Sequence, residues 1–351
     1  MYIFLIINAG SASLKYKIFN GSNLNLLKEG GFSIESTGKE RLKEEKKIFQ
    51  DLQQIAKSLG KVKAVGHRVV HGGNEFYKPT IVTPLVVKKL TKYNKLAPLH
   101  NPYNLGYIKL ALKYFPSSKN IAIFDTAFFH DLPLEAQVFP LPYKYFQKGI
   151  RRFGFHGLSH QYISEEAAHL LKKPINQCNL ITLHLGGGAS VSAISNGRPI
   201  DTTLGFTPLG GVPMFTRSGD IDPGVLLYLS ENYHLNLKEL KTVLNNHSGL
   251  KGISNKNGFL QLLEGVEQND PQSVLAFNIF TRSLKKQIGA YMALLGHVDA
   301  IVFSGTVGSG KPITREKVLN NLVLPKDMKI LVIPTNEELG MARQIKKLLS
   351  K

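Results

Sequence analysis

The sequence predicts a mixed α/β protein assembled twice on one plan. Apolar runs of strand length alternate with amphipathic runs of helical length along the chain. Two strand–glycine–strand hairpins of the same design stand about half a chain apart, one over residues 2–19 and one opening at Leu180. The length, 351 residues, suits two domains of ordinary size.

Strands are expected at Tyr2–Ile7, Val62–Val70, Asn120–Phe124, Leu180–Leu185, Ala300–Phe303 and Lys329–Ile333, where apolar and β-branched residues cluster. Helices are expected at Leu42–Leu59, Ser159–Leu171, Val274–Leu295 and Leu339–Leu349. In the helix 274–295, Leu275, Ile279, Leu284, Ile288 and Tyr291 read as a core stripe. Thr335 reads as the N-cap of the last helix, with Glu338 three residues on completing a capping box. No Pro-rich linker, low-complexity tract or tandem repeat interrupts the chain, so tight connections are expected.

Composition narrows the class. The hydrophobic share, 43%, is that of a soluble globular chain with real cores. A lone cysteine, Cys178, permits no intrachain disulfide and points to the cytoplasm. The opening apolar run stops at Asn8, too short for a membrane span, and lacks a basic leader. The net charge of +19 invites a nucleic-acid reading. The lysines, however, are dispersed and interleaved with acids, as in Lys39–Lys47, with no aromatic platform or known module. A small anionic substrate fits that balance better.

The polar constellations sit where strands end. Gly186, Gly187 and Gly188 follow Leu180–Leu185, and glycine lets backbone N–H groups come close to an anion. Arg217 lies downstream in a loop rich in Gly and Asp. In the first hairpin Asn8 closes a strand, Gly10, Ser11, Ala12 and Ser13 turn, and Lys15 returns. Two such loops facing across a cleft would suit a phosphate chain, and residues 300–311 would add a third wall. The stretch Gly305–Pro312 mimics a P-loop, but Pro312 lacks the hydroxyl that the motif needs for Mg²⁺. Asp125 follows a hydrophobic strand, at the sheet edge where ligands gather. With Glu338 assigned to the cap, Glu337 is left for a metal. Two carboxylates at strand ends suit Mg²⁺, which takes few protein ligands. The pairs His67/His71 and His156/His160 have zinc-like spacing, but no acidic third ligand stands near the first pair and neither lies in a helical zinc motif.

With these residues in hand, the chain resembles the acetate and propionate kinase family, of the superfamily of sugar kinases, heat-shock ATPases and actin. The matching segments include INAGSASLK, VGHRVVHGG, LAPLHNP, FDTAFFH, RRFGFHGLSH, HLGGGAS, DTTLGFTPLGG, TRSGDIDPG and PTNEELGMAR, in order from residue 7 to residue 343. The resemblance implies two duplicated ribonuclease-H-like (actin-like ATPase) domains with a cleft between them. The first would comprise residues 1–127 plus 338–351 and the second, nucleotide-binding, residues 128–337. It also implies a homodimer and Mg²⁺-dependent, reversible transfer of phosphoryl from ATP to acetate, with Mn²⁺ an alternative ion. Asn8 and Glu337 would place the metal, and Arg68 would hold the acetate carboxylate. Val70, Leu99, Phe155 and Pro208 would line a methyl-sized pocket, with His100 in support. Asp125, His156 and Arg217 would be catalytic. Lys15, His184, Leu185, Gly186, Gly187 and Gly188 would meet the nucleotide phosphates, and Thr306, Val307, Gly308, Ser309 and Gly310 its adenosine.

The chain departs from the family pattern in places. Gly187 stands where Asn is usual, Ala12 where Ser is usual, and Thr306–Gly310 replaces a Gly-Ile-Gly-Glu-Asn loop. No Asp-x-Arg element occurs between Ile253 and Leu263, and the chain is shorter before residue 329. Phosphoryl-transfer residues are thus intact and base-recognition residues thinned. That leaves open a relaxed donor preference, pyrophosphate included, and a longer acceptor such as propionate or butyrate.

Overall fold

A computed structural model describes residues 1–10, 12–98 and 100–350. Leu99 of the expected methyl pocket and Ser11 of the first turn lie outside the described residues. In chain order the strands are β1 (Tyr2–Ala9), β2 (Ser13–Asn20), β3 (Leu26–Ser33), β4 (Lys61–Val69), β5 (Thr80–Ile81) and β6 (Lys119–Phe124). They continue as β7 (Leu180–Leu185), β8 (Ala189–Ser195), β9 (Arg198–Thr202), β10 (Ala300–Ser304) and β11 (Lys329–Val332). The helices that matter below are α1 (Gly38–Leu59), α2 (Asn101–Tyr114), α3 (Gly157–Leu171), α4 (Pro223–Asn232), α5 (Pro271–Leu295), α6 (Gly305–Gly308) and α7 (Glu337–Leu349).

The chain divides into two compact units. One holds Met1–His130, Gly157–Ser159 and Asn336–Lys351; the other holds Asp131–His156 and His160–Thr335.

The duplication is visible in strand order. The first sheet runs β3-β2-β1-β4-β6-β5 and the second β11-β10-β7-β8-β9. Read from the meander outward, β3-β2-β1-β4-β6 and β9-β8-β7-β10-β11 are the same path. Three antiparallel strands are followed by two parallel ones in each. Only the short β5 is extra.

In the first unit β1 is central and buried on both faces, which is why its sequence is a continuous apolar run. Ile3, Leu5 and Ile7 face one core with Phe49 and Leu52 of α1 and Tyr107 and Ala111 of α2. Phe4 and Ile6 face the other, with Met341, Ala342 and Ile345 of α7. Gly66 permits that close approach, since a Cβ there would lie 2.5 Å from Ile345 Cδ1. The docking of α7 brings its first turn to the carboxyl end of β1.

In the second unit α5 packs on β8 and buries Ala276, Phe277, Phe280, Thr281, Leu284, Ile288 and Tyr291. Leu275 and Ile279, expected in the core, are exposed. The buried stripe runs through 276, 280, 284 and 288, one position further on, which turns those two side chains by about 100° of helix.

Candidate active site

In both units the parallel strands end at one sheet edge, and the polar residues stand there. In the first unit Arg68, near the end of β4, is the hub. Its Nε donates to both oxygens of Asp125 at 3.0 and 3.1 Å, and its Nη2 to Oδ2 at 2.6 Å. Its Nη1 donates to Oδ1 of Asn8, on β1, at 3.1 Å. The Asn8 amide nitrogen donates to Glu338 Oε1 at 2.9 Å and to Glu337 Oε2 at 3.4 Å. Lys17 bonds Asn336 Oδ1 at 3.0 Å and approaches Glu338 at 3.5 Å.

Electrostatics in this cluster are dominated by burial of acids beside one guanidinium. Burial alone would lower the Arg68 pKa, but Asp125, Glu337 and Glu338 hold it above its usual value. Burial pushes Glu337 up to about 7, opposed by Arg68 and reinforced by Asp125 and Glu338. Acids outnumber cations here, so the cluster suits an arriving positive charge.

In the second unit the β7–β8 hairpin turns through Gly186–Gly188, closed by Gly186 N–H donating to Gly188 O at 2.8 Å. His156 caps α3 in a left-handed conformation, φ 57°. Its ring lies 4.4 Å from that of His184, and its Nδ1 is 2.8 Å from Ser190 Oγ. A Cβ on Gly188 would lie 2.9 Å from His156 Nε2 and 3.6 Å from Arg217 Nη1. An imidazole and a guanidinium therefore flank the same glycine. Arg217 Nη1 also donates to Pro208 O at 3.1 Å, and burial lowers the guanidinium pKa.

The third strand end contributes Thr306, whose Oγ1 would be 3.6 Å from a Cβ on Gly186. Gly305 must be glycine: its φ is +78°, and a Cβ would sit 2.3 Å from Leu185 O. The loop beyond it is braced by Arg315, which donates to Gly308 O at 2.8 Å and Gly310 O at 2.9 Å. Residues 305–308 form a short helix directly after β10.

The expected residues thus fall into two groups. Asn8, Arg68, Asp125 and Glu337 come together in the first unit. His156, His184, Gly186, Gly188, Arg217, Pro208 and Thr306 come together in the second, with Leu185 and Gly187 in the hairpin and Val307, Ser309 and the braced Gly308 and Gly310 beyond Thr306. Lys15 pairs in register with Asn8 on β2 but its side chain is exposed. Val70 and Phe155 are buried, and His100 caps α2.

One reading of the sequence changes. The cap of α7 is Asn336, whose side chain accepts from Leu339 N–H at 3.2 Å, not Thr335. Glu338 is therefore released from any capping box to bind Asn8, and nothing in the sequence marks it beyond the doubled acid. His67 and His71 serve the core: His67 Nε2 meets Asn120 Oδ1 at 2.9 Å, and His71 Nδ1 accepts from Gly73 N–H at 2.9 Å. Sequence reasoning also passed over Lys17 and Ser190.

Comparison with known proteins follows the same lines. A family model described as the acetokinase family matches residues 3–325. An acetate kinase of Halothermothrix orenii is 38% identical over 387 aligned residues, 97% of either chain. One of Caldicellulosiruptor saccharolyticus is 39% identical over 396, 99% of either chain. Both alignments are longer than this chain, so the relatives carry residues that it lacks. Among solved structures, Porphyromonas gingivalis acetate kinase superposes with a TM-score of 0.89 at 31% identity, covering 99% of this chain and 100% of its own. A propionate kinase of Francisella tularensis gives 0.89 at 32%, covering 98% and 99%. A ROK-family transcriptional regulator, at 14% identity and a TM-score of 0.56, shares the fold alone.

Proposed function

The chain belongs to the acetokinase family and is a phosphotransferase with a carboxyl group as acceptor; on that premise we propose that it moves the γ-phosphoryl of ATP to acetate by direct in-line transfer, reversibly. The curated relatives, named acetate kinases, support acetate over a longer carboxylate as acceptor.

The observation that carries the mechanism is the pair His156 and Arg217 that meet beside Gly188. Acetate is already ionised at neutral pH, so no general base is needed. The barrier lies in bringing one anion against a polyanion, and fixed donors aimed at the equatorial oxygens lower it. Arg217 and His156 are those donors in this reading. Lys15, His184, the glycines of the hairpin and Thr306 take the nucleotide phosphates, and Val307–Gly310 the nucleoside. Arg68 takes the acetate carboxylate, held in plane by Asp125. Val70, Phe155 and Pro208 meet the methyl group.

A divalent ion fits the first cluster. The donors are hard oxygens, the acids are in excess over Arg68 and Lys17, and burial leaves Glu337 poised at about 7. Among the described residues no three His, Cys, Asp or Glu side chains converge as ligands do. That suits Mg²⁺, or Mn²⁺ in its place, which keeps waters and substrate oxygens rather than a full protein cage. Glu337 and Asn8 would hold it, and it would supply neutralisation of phosphate charge.

Two further points belong to this reading. Exposed Leu227, Tyr228, Tyr233 and Leu237 around α4 support assembly as a homodimer. Among the described residues no helix is long and apolar enough to cross a membrane, and we place the protein in the cytoplasm. A hydroxamate trap of acyl phosphate, crossing acetate, propionate and butyrate with ATP, GTP and pyrophosphate, tests the proposal. Acetate with ATP is expected to give the highest kcat/KM; no acyl phosphate from any pair would refute it.

A further inference from the structure

Behind His156 lies a buried chain of polar groups that the reaction itself does not touch. His156 Nδ1 is 2.8 Å from Ser190 Oγ, Ser190 Oγ is 2.8 Å from His160 Nε2, and His160 Nδ1 is 2.8 Å from Thr182 Oγ1. His160, Thr182 and Ser190 are fully buried. Three polar side chains removed from water in a row are retained where each is satisfied by the next.

The distances favour one direction for the protons along this chain. His160 stays neutral, because burial holds its pKa well below the ordinary value and the nearby His184 adds to that. A neutral imidazole has one donor nitrogen and one acceptor. The Thr182 hydroxyl has two acceptors to choose from: Ser192 O at 3.5 Å, the outer limit of a hydrogen bond, and His160 Nδ1 at 2.8 Å. It donates to His160 Nδ1. His160 Nε2–H then donates to Ser190 Oγ, and the single Ser190 proton points at His156 Nδ1. His156, receiving a proton at Nδ1, carries its own hydrogen on Nε2, the nitrogen that faces Gly188 beside Arg217.

We propose that Ser190, backed by His160 and Thr182, is a positioning residue that holds His156 as the neutral Nε2–H tautomer, so that it donates toward the phosphoryl site without needing to be charged. The inference rests on the reading of His156 as a phosphoryl contact. Among the groups facing its ring in this unit are His184, Arg217 and, through Ser190, His160. Two of these are imidazoles and the third is a cation, so a neutral donor is better tolerated there than another positive charge.

The test is a double-mutant cycle with a spectroscopic arm. Ser190→Ala is expected to lower kcat about ten- to a hundredfold, with the KM values for acetate and ATP little changed. In a His156→Ala background the same substitution is expected to do nothing further. Ser190→Thr, which keeps the hydroxyl, is expected to restore part of kcat. Equal losses from Ser190→Ala in both backgrounds would overturn the inference while leaving the role of His156 intact. Wild-type turnover in His156→Ala would instead refute the reading beneath it. Should Ser190→Ala fail to fold, the ¹⁵N spectrum of histidine-labelled wild-type protein decides, with the His156 signals identified by their loss in His156→Ala. A neutral ring protonated at Nε2 near pH 7.5 is expected, and one protonated at Nδ1 would overturn the proposal.

Discussion

Arg68 and Asp125 are joined by three hydrogen bonds that engage Nε and Nη2 of the guanidinium and both oxygens of a carboxylate that is almost wholly buried. A planar fork gripped along one edge presents its remaining nitrogen in a fixed direction. Arg68→Lys keeps the charge and loses the fork. It is expected to raise the KM for acetate by about tenfold or more, roughly 1.4 kcal/mol, with the KM for ATP changed much less. Initial rates against acetate and ATP in turn check this.

Adjacent glycines of the β7–β8 turn are expected to behave differently. A methyl group on Gly187 would meet nothing within 4 Å, whereas one on Gly188 would press on the His156 ring at 2.9 Å. Gly187→Ala should lower kcat far less than Gly188→Ala does, any loss showing first in the KM for ATP. Gly188→Ala should lower kcat by about a hundredfold, the loss expected of a contact displaced by roughly 1 Å. Both variants should unfold at nearly the wild-type temperature, which a melting curve checks.

Much of this arrangement is legible in the sequence. The long apolar runs of β1, β7 and β10 were read correctly because strands buried on both faces must be continuously hydrophobic. Asn8, Asp125 and Gly186 stand out because each lies at or just past the end of an apolar run, and Glu337 because it opens the helix that follows β11. What escaped had no local signature. β3 is an edge strand with Lys28, Glu29 and two glycines, and its pattern is that of a loop. Ser190 and Lys17 acquire their meaning only from partners 34 and 319 positions away. Glu338 was misassigned because a capping box and a site carboxylate look the same until the cap, Asn336, is seen.

Acid should unfold the protein early. Burial lowers His67 and His71 to about 4, and His160 well below the usual value. For a base whose folded pKa is depressed, the stabilisation is complete above the unfolded value of about 6.5. It is lost as pH falls from there toward the folded value, because the unfolded chain takes up the proton first. Each such histidine should remove about 1.4 kcal/mol per pH unit within that window. Urea midpoints at pH 7.5, 6 and 5 should fall steadily, and His67→Gln should flatten the slope.

Glu337 should behave in the opposite sense. Its pKa is raised by burial to about 7, so its contribution to stability is present below about 4.5 and is lost as pH rises through 7. Metal-free Glu337→Gln, neutral at every pH, should therefore melt above wild type at pH 8 and close to it at pH 4.5. The same variant should need more Mg²⁺ for half-maximal rate. Melting in excess chelator and a Mg²⁺ titration are independent readouts.

The central claim is that fixed cationic and neutral donors around Gly188 stabilise the phosphoryl group as it moves. The most direct measurement is the kinetics of Arg217→Ala with and without added guanidinium. The expected result is a kcat lowered by about two to three orders of magnitude, a KM for acetate changed only severalfold, and partial recovery of kcat by guanidinium. A variant that turns over at nearly the wild-type rate would contradict the account.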